Sequence, residues 1–425
     1  MTAVLPILAL LGAPLFAVIA ASAIIGFLRS DIDIQVVAIE IFRIAETPIL
    51  VAIPLFTFAG YLLGESGTPR RLVRVTRAWM GWMPGGLPIV ALMACAVFTA
   101  FTGASGVTII ALGGLLYPAI KKDGYEDNFN LGLITTAGSL GLLFAPAIPL
   151  ILYGIVAEVS VDDMFRAGVL PCLLMVVFLS AYSIFEAKRE KIPTRPFDKA
   201  EAWAAVKESI WEIPLPFVVL GGIYSGFFAI SDAAAVTAVY VMLVEVFIYK
   251  EVPLRKLPDV MRDSMMLVGG ILVIMAVSYA STNYLIDAEV PMKLLEFTKA
   301  QISSPMTFLI VLNIFLLVLG CMLDIFSAIV IVLPLILPMA DSYGIDRVHL
   351  GIIFLANMQI GFCTPPVGMN LFIASYRFVK PIVQLYVATI PFLILLLITV
   401  LIITYWPDLS LYLVEMGREA ATAGP

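Results

Sequence analysis

The sequence has few of the residues that carry out enzyme chemistry. Its 425 residues include one histidine, His349, and four cysteines, none of which form a Cys-x-x-Cys pair. An intramembrane enzyme needs a Ser-His pair, paired aspartates or a set of metal ligands, and this scarcity argues against each of them. We interpret the cysteines as small, buried apolar residues. An intramembrane enzyme is therefore a remote alternative for this chain.

Charged residues are also scarce. They make up 13% of the chain, whereas hydrophobic residues make up 61%. Uncharged runs, among them residues 49–64, 213–230 and 265–285, are candidates for crossing a bilayer as helices. The runs are continuous rather than alternating, which favours helices over a membrane β-barrel. We predict an all-α polytopic membrane protein whose first membrane segment, residues 1–28, is not a removed signal peptide.

The chain contains an internal repeat. A shift of about 219 residues aligns the helix-breaking residues of segment 102–125 with those of segment 322–345. The same shift aligns segment 131–154 with segment 350–373, and it pairs Pro146 with Pro365. Several matches in the same order at nearly one offset indicate a duplicated unit.

The loop charges predict opposite orientations for the two halves. Residues 70–77 are strongly basic, whereas the matched residues 287–299 are close to balanced. The bias is reversed elsewhere, since residues 250–262 are basic and their counterpart, residues 31–40, is acidic. Basic loops stay in the cytoplasm, so equivalent loops are expected on opposite sides. This pattern indicates an inverted repeat, as in many secondary transporters; the alternative is an ordinary duplication with random loop charge.

We predict three parts of the chain. Residues 1–185 form the first inverted repeat and residues 213–425 form the second. Residues 186–212 between them are rich in basic residues, which places them in the cytoplasm. This linker is expected to include an amphipathic helix on the membrane surface.

Two segments combine an apolar composition with strong helix breakers. Residues 361–370, GFCTPPVGMN, interrupt a helix predicted over about 349–376, and Pro146 and Pro149 interrupt its counterpart over about 130–156. Proline removes a backbone donor, and the freed carbonyls are costly in lipid unless something binds them. Paired broken helices indicate a transporter's binding site. Unwound carbonyls suit a small cation, and helix N-termini suit an anion.

Two long apolar blocks are interrupted near their centres by small or polar residues. The block at about 84–120 contains TGASG, and the block at about 305–340 contains GCMLDIFS. We predict that each forms a re-entrant helical hairpin. Asp324 is the only charged residue of the second block, and an intramembrane carboxylate is a functional candidate by default. The alternative, a helix cap at the hairpin tip, is compatible with that role.

Other polar residues lie at or near these breaks. Ser105 and Thr108 can cap a helix or supply oxygen ligands. Asn357 and Thr364 lie on roughly one face of the second broken helix. Asn370 follows the break, which makes it the better candidate for contacting substrate. The predicted substrate-binding residues are Thr108, Asn357 and Asn370.

These segments resemble a known family. The tip TGASGVT, the stretch LLFAPAIPLILYG, the long stretch ending in GFCTPPVGMNLF and the MLD hairpin are similar to the large, DctM-like membrane subunit of tripartite ATP-independent periplasmic (TRAP) transporters. The resemblance covers essentially the whole chain. It implies an elevator-type carrier of the ion-transporter superfamily in the inner (cytoplasmic) membrane of a bacterium or archaeon. It also implies sodium-driven uptake of a small organic anion of the carboxylate or sulfonate type, with no organic cofactor.

The resemblance implies two sodium sites. The first would be surrounded by Thr102, Gly103, Ser105, Ala145 and Pro146. The second would be surrounded, largely through backbone carbonyls, by Gly320, Asp324, Thr364, Pro365 and Val367.

The resemblance also implies partners. Such large subunits work with a small four-helix membrane subunit and a periplasmic substrate-binding protein, and the chain is expected to contact membrane lipid but no nucleic acid. The alternative within transport is a stand-alone ion-coupled anion carrier of the same superfamily that needs no binding protein.

Overall fold

The computed structural model describes residues 14–29, 33, 35, 37–39, 42, 46–194 and 196–422. These residues form helices, turns and irregular segments, and no strand occurs among them. Seven of the described helices are long and apolar enough to cross a membrane, or eight if one bent pair counts as a single span. The all-α membrane class is therefore confirmed. The first part of the predicted membrane segment 1–28 lies outside the described residues.

Helices are numbered here in chain order. Those before the linker are α1 (Leu15–Arg29), α2 (Pro48–Glu65), α3 (Thr68–Met80), α4 (Gly86–Thr102), α5 (Ser105–Lys122), α6 (Asp127–Ala137), α7 (Ile148–Val156) and α8 (Val161–Arg189). Those that follow are α9 (Lys199–Glu208), α10 (Pro214–Tyr224), α11 (Ile230–Ile248), α12 (Leu257–Asp287), α13 (Val290–Gln301), α14 (Pro305–Met322), α15 (Ile325–Ser342), α16 (Arg347–Gly361), α17 (Met369–Phe378), α18 (Ile382–Tyr405) and α19 (Asp408–Thr422).

The same order of elements occurs twice. A long helix, a shorter helix, a two-armed hairpin, an interrupted pair and another long helix run from α2 to α8 and again from α12 to α18. The hairpins are α4–α5 and α14–α15, and the interrupted pairs are α6–α7 and α16–α17. The opposite orientation of the two halves stays a prediction.

The two halves interlock through their hairpins. The second arm of the first hairpin, α5, packs against α17, which follows the interruption in the other half. Correspondingly, the second arm of the second hairpin, α15, packs against α7. We call these hairpins and interrupted pairs, together with α8 and α18, the core.

A second group of helices contacts the core at both hairpins. Helix α2 packs against α11 and α12, and α12 also packs against α1. The main contacts with the core are those of α2 with α4 and of α12 with α15. We call α1, α2, α11 and α12 the frame.

One predicted crossing is wrong. Residues 213–230 do not form one helix, because α10 ends at Tyr224 and the next helix begins at Ile230. Gly226 between them has a φ of 72°. A glycine in this left-handed conformation commonly ends a helix, and an apolar run gives no hint of it. The long helix of this region is α11, which belongs to the frame.

A buried ionic cluster fastens α3 to the chain around the linker. The Arg71 side chain is 5% exposed and forms ion pairs with Glu212, with Glu245 at 3.2 Å and with Glu251 at 2.7 Å. Its guanidinium carbon also lies 4.0 Å from the centre of the Tyr249 ring. We call these five residues the Arg71 cluster. It joins a helix of the first half to residues that come after α9.

The linker lies against the same helix. Helix α9 falls within the segment predicted as the linker, and Arg74 of α3 forms ion pairs with Glu201 and Glu208 of α9. Trp203 and Trp211 are 62% and 42% exposed. Exposed tryptophans beside basic residues are typical of a helix at a membrane interface.

Candidate functional site

The first hairpin turns within two residues. Helix α4 ends at Thr102, Gly103 has a φ of 64°, and α5 begins at Ser105. A Cβ atom placed on Gly103 would lie 2.7 Å from Cγ1 of Ile148, the first residue of α7. The tip therefore needs glycine both for its backbone conformation and for its close contact with the first interruption.

The tip of the second hairpin carries a carboxylate. Asp324 precedes α15, where its Oδ1 accepts a hydrogen bond from the backbone N of Ser327 at 2.9 Å and its Oδ2 accepts one from Ser327 Oγ at 2.5 Å. The predicted helix-cap role is confirmed. The first hairpin has Ala104 in the same position before its second arm, with no side-chain cap. The negative charge is thus confined to one of the two tips.

Both predicted interruptions are present. A short 3₁₀ turn, Leu140–Leu143, follows α6, and the chain bends by 44° before α7. In the other half, residues 362–368 separate α16 from α17. Cis peptide bonds precede Pro146 and Pro366.

A glycine of each interruption packs against the first arm of the hairpin in its own half. A Cβ atom on Gly141 would lie 2.7 Å from the backbone N of Ala100, and one on Gly361 would lie 2.6 Å from Cα of Gly320. Ordinary Cβ contacts exceed 3.0 Å. Each hairpin and its interruption are therefore in contact through their backbones, and no side chain fits between them.

These glycine contacts also correct the alignment of the repeat. Gly361 and Gly320 follow Gly141 and Ala100 by 220 residues each. At this offset Pro146 corresponds to Pro366, one residue later than the predicted partner, Pro365. The predicted offset was about 219 residues, and the adjacent Pro365 and Pro366 of the second half left the pairing of Pro146 ambiguous by one residue.

One asparagine links three parts of the core. Asn370 is fully buried, and its Oδ1 accepts a hydrogen bond from Ser105 Oγ at 2.7 Å. Its Nδ2 donates to the carbonyl of Thr135 at 3.3 Å, and its backbone N donates to the carbonyl of Phe362 at 3.0 Å. The first hairpin, the first broken helix and the second interruption are thus connected by a single residue.

A cavity of about 400 Å³ lies between the two hairpin tips. Its walls come from both tips, both interruptions and the middle of α12. The lining consists of residues 103–107, Leu142, Met266, Leu267, Gly270, Ile271, Ile274, residues 324–326, Phe362, Met369 and Ile373.

The cavity has a mixed chemical character. Its side chains are mainly apolar, and no lysine, arginine or histidine of the described chain lines it. Three helices, α5, α15 and α17, begin at its wall. Each N-terminus presents the positive end of its helix dipole, which favours an anion, whereas the Asp324 carboxylate already caps the N-terminus of α15. The carbonyl ends of α4, α14 and α16 lie at the same tips and interruptions, where they can favour a cation.

The residues predicted for the first sodium site lie around the first tip. Gly103 and Ser105 line the cavity. Thr102 is buried, and its Oγ1 donates to the carbonyl of Phe98 at 3.1 Å within its own helix. Ala145 and Pro146 are buried in the first interruption.

The residues predicted for the second sodium site are more exposed than those predicted for the first. Asp324 lines the cavity, and Gly320 lies against the start of the second interruption. Thr364 and Pro365 are half-buried, and Val367 is 44% exposed. The hydroxyl of Thr364 donates to the carbonyl of Ile360 at 2.9 Å.

Two predicted substrate residues do not line the cavity. The Thr108 hydroxyl lies 2.7 Å from that of Thr99 in a hydrogen bond, behind the first tip. Asn357 donates to Oδ1 of Asn313 at 2.6 Å, between α16 and α14. Asn370 reaches the cavity wall indirectly, through its bond to Ser105.

The contribution of α12 to the cavity was not predicted. Nothing lies within 4 Å of a Cβ atom placed on Gly270, so this part of α12 faces the empty space of the cavity. The Gly269–Gly270 pair in a long apolar run was the available sequence signal.

Comparisons with known proteins agree with the resemblance noted from the motifs. The family described as "Tripartite ATP-independent periplasmic transporter, DctM component" matches residues 2–409. The chain is 36% identical over 387 residues to the C4-dicarboxylate TRAP transporter large permease protein DctM of Pseudomonas aeruginosa, covering 91% of each protein. It is 31% identical over 416 residues to the ectoine/5-hydroxyectoine TRAP transporter large permease protein UehC of Ruegeria pomeroyi, covering 97% of each.

Two further similarities concern domain content and fold. The chain is 33% identical to the isethionate TRAP transporter permease protein DctMQ of Oleidesulfovibrio alaskensis, covering 85% of this chain and 58% of that protein. The fold is similar to that of the Alcanivorax borkumensis YdaH transporter, with a TM-score of 0.63 over 88% of this chain and 87% of that one. At 14% identity this similarity shows the fold alone.

The relatives are named as transporter permeases, not as enzymes. The family match, the relatives above 30% identity and the apolar helices together lead to one assignment. The chain belongs to the DctM family of TRAP transporters and is a multi-pass permease of the inner membrane.

Proposed function

We propose that this chain is the transport subunit for sodium-coupled uptake of a small organic anion of the carboxylate or sulfonate type. The observation that carries the proposal is the cavity between the tips, where three helix N-termini converge and the described residues contribute no basic side chain. Such N-termini bind carboxylate, sulfonate or phosphate groups through backbone N–H. The C4-dicarboxylate, isethionate and ectoine in the relatives' names all carry a carboxylate or a sulfonate.

Sodium binding in this proposal connects each tip to its interruption. Each hairpin already contacts the interruption in its own half through a glycine. The helix carbonyls that end at these contacts are hard oxygen donors, which suit a small cation. A bound ion at each contact would fix the cavity wall before the anion enters, so the two binding events would be coupled.

The movement in this proposal is a displacement of the core relative to the frame. The core contains both hairpins and both interruptions, and it contacts the frame through α2 and α12. A core carrying an anion without its cations would take uncompensated charge and open carbonyls through lipid, which is strongly unfavourable. This penalty provides a physical reason for strict coupling.

Two partners belong to the proposal. The family description names a tripartite transporter, and the isethionate relative carries the combined designation DctMQ. We propose that the present chain works with a separate small membrane subunit and receives substrate from a periplasmic binding protein.

Uptake by reconstituted protein tests this function. The chain would be reconstituted into liposomes with its small subunit, and the binding protein would be added with labelled succinate, isethionate or ectoine. We expect uptake only when an inward sodium gradient and the binding protein are both present. Uptake by the chain alone would support the stand-alone carrier. Uptake that is indifferent to sodium would refute the coupling.

Replacing Asp324 by asparagine removes its negative charge but keeps its role as a helix cap, so the two roles can be tested separately. Asparagine can still accept the hydrogen bond from the backbone N of Ser327 through Oδ1, and its Nδ2 can donate to Ser327 Oγ, so the second tip is expected to keep its conformation. A unit charge about 4 Å from a cation contributes on the order of 4 kcal/mol at an effective dielectric constant of about 20. We therefore expect at least about a tenfold rise in the half-saturating sodium concentration for uptake, with unchanged thermal stability. An unchanged sodium dependence would remove Asp324 from the ion site.

A further inference from the structure

Three glutamates from two segments meet at the end of α8, away from the cavity. Glu126 stands just before α6, Glu186 is in the last turn of α8, and Glu190 follows that helix. One carboxylate oxygen of each lies within 4.8 Å of those of the other two. The three residues belong neither to the predicted ion sites nor to the cavity lining.

One of these carboxylates is buried and incompletely satisfied. Glu186 is 2% exposed. One of its oxygens, Oε1, pairs with Arg189 at 3.2 Å, whereas Oε2 has no hydrogen-bond partner among the described residues. A buried carboxylate oxygen without a partner carries a substantial desolvation penalty. The Oε2 atom therefore needs a positive or hydrogen-bonding ligand.

The position of Glu186 and Glu190 at the end of α8 also favours a bound cation. Glu186 and Glu190 lie at the C-terminal end of the 29-residue helix α8. The helix dipole is negative there, so carboxylates are disfavoured and cations are favoured. The single guanidinium of Arg189 leaves two of the three carboxylate charges uncompensated within the cluster.

We propose that Glu126, Glu186 and Glu190 form a binding site for a divalent cation of the size of Ca²⁺. Carboxylate oxygens are the donors that hard divalent cations prefer. Two oxygens that both bind Ca²⁺ at about 2.3–2.6 Å are at most about 5 Å apart, so the observed spacing is compatible with Ca²⁺ after small adjustments of the side chains. The shorter bonds of Mg²⁺, about 2.0–2.1 Å, require all three oxygens to lie within about 4.2 Å of each other.

The bound ion would join two segments of the core that are distant in the chain. Glu126 lies between the first hairpin and the first broken helix, and Glu190 lies where the chain enters the linker. The backbone N of Glu126 already donates a hydrogen bond to Oε2 of Glu190 at 3.3 Å, and the ion would reinforce this contact between the start of α6 and the end of α8. Its occupancy is independent of the proposed transport function, so the two can be tested separately.

Terbium luminescence detects such a site directly. Tb³⁺ replaces Ca²⁺ at oxygen sites and emits when a nearby tyrosine absorbs. Tyr125 neighbours Glu126 in the sequence, and Tyr182 lies one helical turn before Glu186 on α8. We expect sensitised emission from the purified full-length chain, displaced by Ca²⁺ at roughly 10⁻⁴–10⁻³ M because only three protein carboxylates contribute. Mg²⁺ should displace Tb³⁺ less effectively.

Variants identify the ligands. Glu126→Gln and Glu190→Gln should each weaken Ca²⁺ competition about tenfold or more, since each removes one ligand charge. Glu296→Gln changes an exposed glutamate of α13 and serves as the matched control. With a chelator present, Glu186→Gln should raise the melting temperature, because it removes a repelling buried charge. Equal emission from wild type and both ligand variants, or no displacement by Ca²⁺, would overturn the proposal.

Discussion

Replacing Gly361 by alanine is expected to reduce uptake about thirtyfold. The added Cβ atom would lie 2.6 Å from Cα of Gly320, and a backbone atom cannot rotate out of the way. The hairpin and the interruption must then separate, at a cost of about 1–3 kcal/mol. A cost of about 2 kcal/mol reduces the population of the closed arrangement about thirtyfold. The effect should appear in the initial rate of sodium-driven uptake.

Gly221→Ala is the matched control for this substitution. It makes the same chemical change in a helix, but nothing lies within 4 Å of a Cβ atom placed on Gly221. We expect wild-type uptake from this variant. Gly141→Ala should behave as Gly361→Ala does, since its Cβ atom would lie 2.7 Å from the backbone N of Ala100. Normal uptake by both interruption variants would contradict the close backbone contact.

Replacing Arg71 by methionine is expected to destabilise the protein by about 3–5 kcal/mol. The substitution preserves much of the side-chain volume but leaves Glu212, Glu245 and Glu251 without their shared cation. Breaking a buried ion pair from one side is costly because the remaining charges stay buried and unpaired. Thermal unfolding in detergent would show the loss as a lower melting temperature.

Two further variants separate charge from packing. Arg74→Met removes an arginine from the same helix, but Arg74 and its partners Glu201 and Glu208 are largely exposed, so we expect a loss of no more than about 1 kcal/mol. Adding Glu245→Gln to Arg71→Met should restore part of the stability, because one of the buried charges disappears. Equal losses for Arg71→Met and Arg74→Met would show that burial of the cluster contributes nothing.

The same cluster predicts a pH dependence. Burial acts to raise the pKa of Glu251, but hydrogen bonds from Arg71 and from the backbone N of Gly67 outweigh it, so the pKa lies below its ordinary value of 4.5. A carboxyl with a lowered pKa in the folded state contributes stability above its unfolded pKa and loses it as the pH falls through the folded pKa. The contribution of Glu251 to the difference between wild type and Arg71→Met should therefore be full above about pH 4.5 and shrink under stronger acid.

The breaks in the core were predictable because their causes are local. Proline and glycine within an apolar run disrupt a helix wherever they occur, so residues 361–370 and Pro146 indicated both interruptions. Asp324 indicated the second tip because a lone carboxylate in such a run needs a special position. Which elements pack against these breaks was harder to predict, since it depends on how segments distant in the sequence come together.

Three features illustrate this limit. The heptad spacing of Asn357 and Thr364 placed them on one face of a helix but could not show which neighbour that face meets. In the fold, Asn357 faces Asn313 of α14. The lining from α12 was missed because an apolar helix beside a cavity has the same composition as one beside lipid. Residues 213–230 were misjudged because hydropathy does not register the backbone conformation of Gly226.

Each hairpin packs against the interrupted pair of the other half, and this arrangement affects how the protein is synthesised and inserted into the membrane. Ser105 finds its hydrogen-bond partner 265 residues later in the chain. At a synthesis rate of about 5–20 residues per second, the ribosome needs on the order of ten to fifty seconds to supply that partner. Throughout this interval the first hairpin is in the membrane without its native cover. The insertion machinery or an assembly factor that shields the polar tip during this delay would then limit the yield of functional protein.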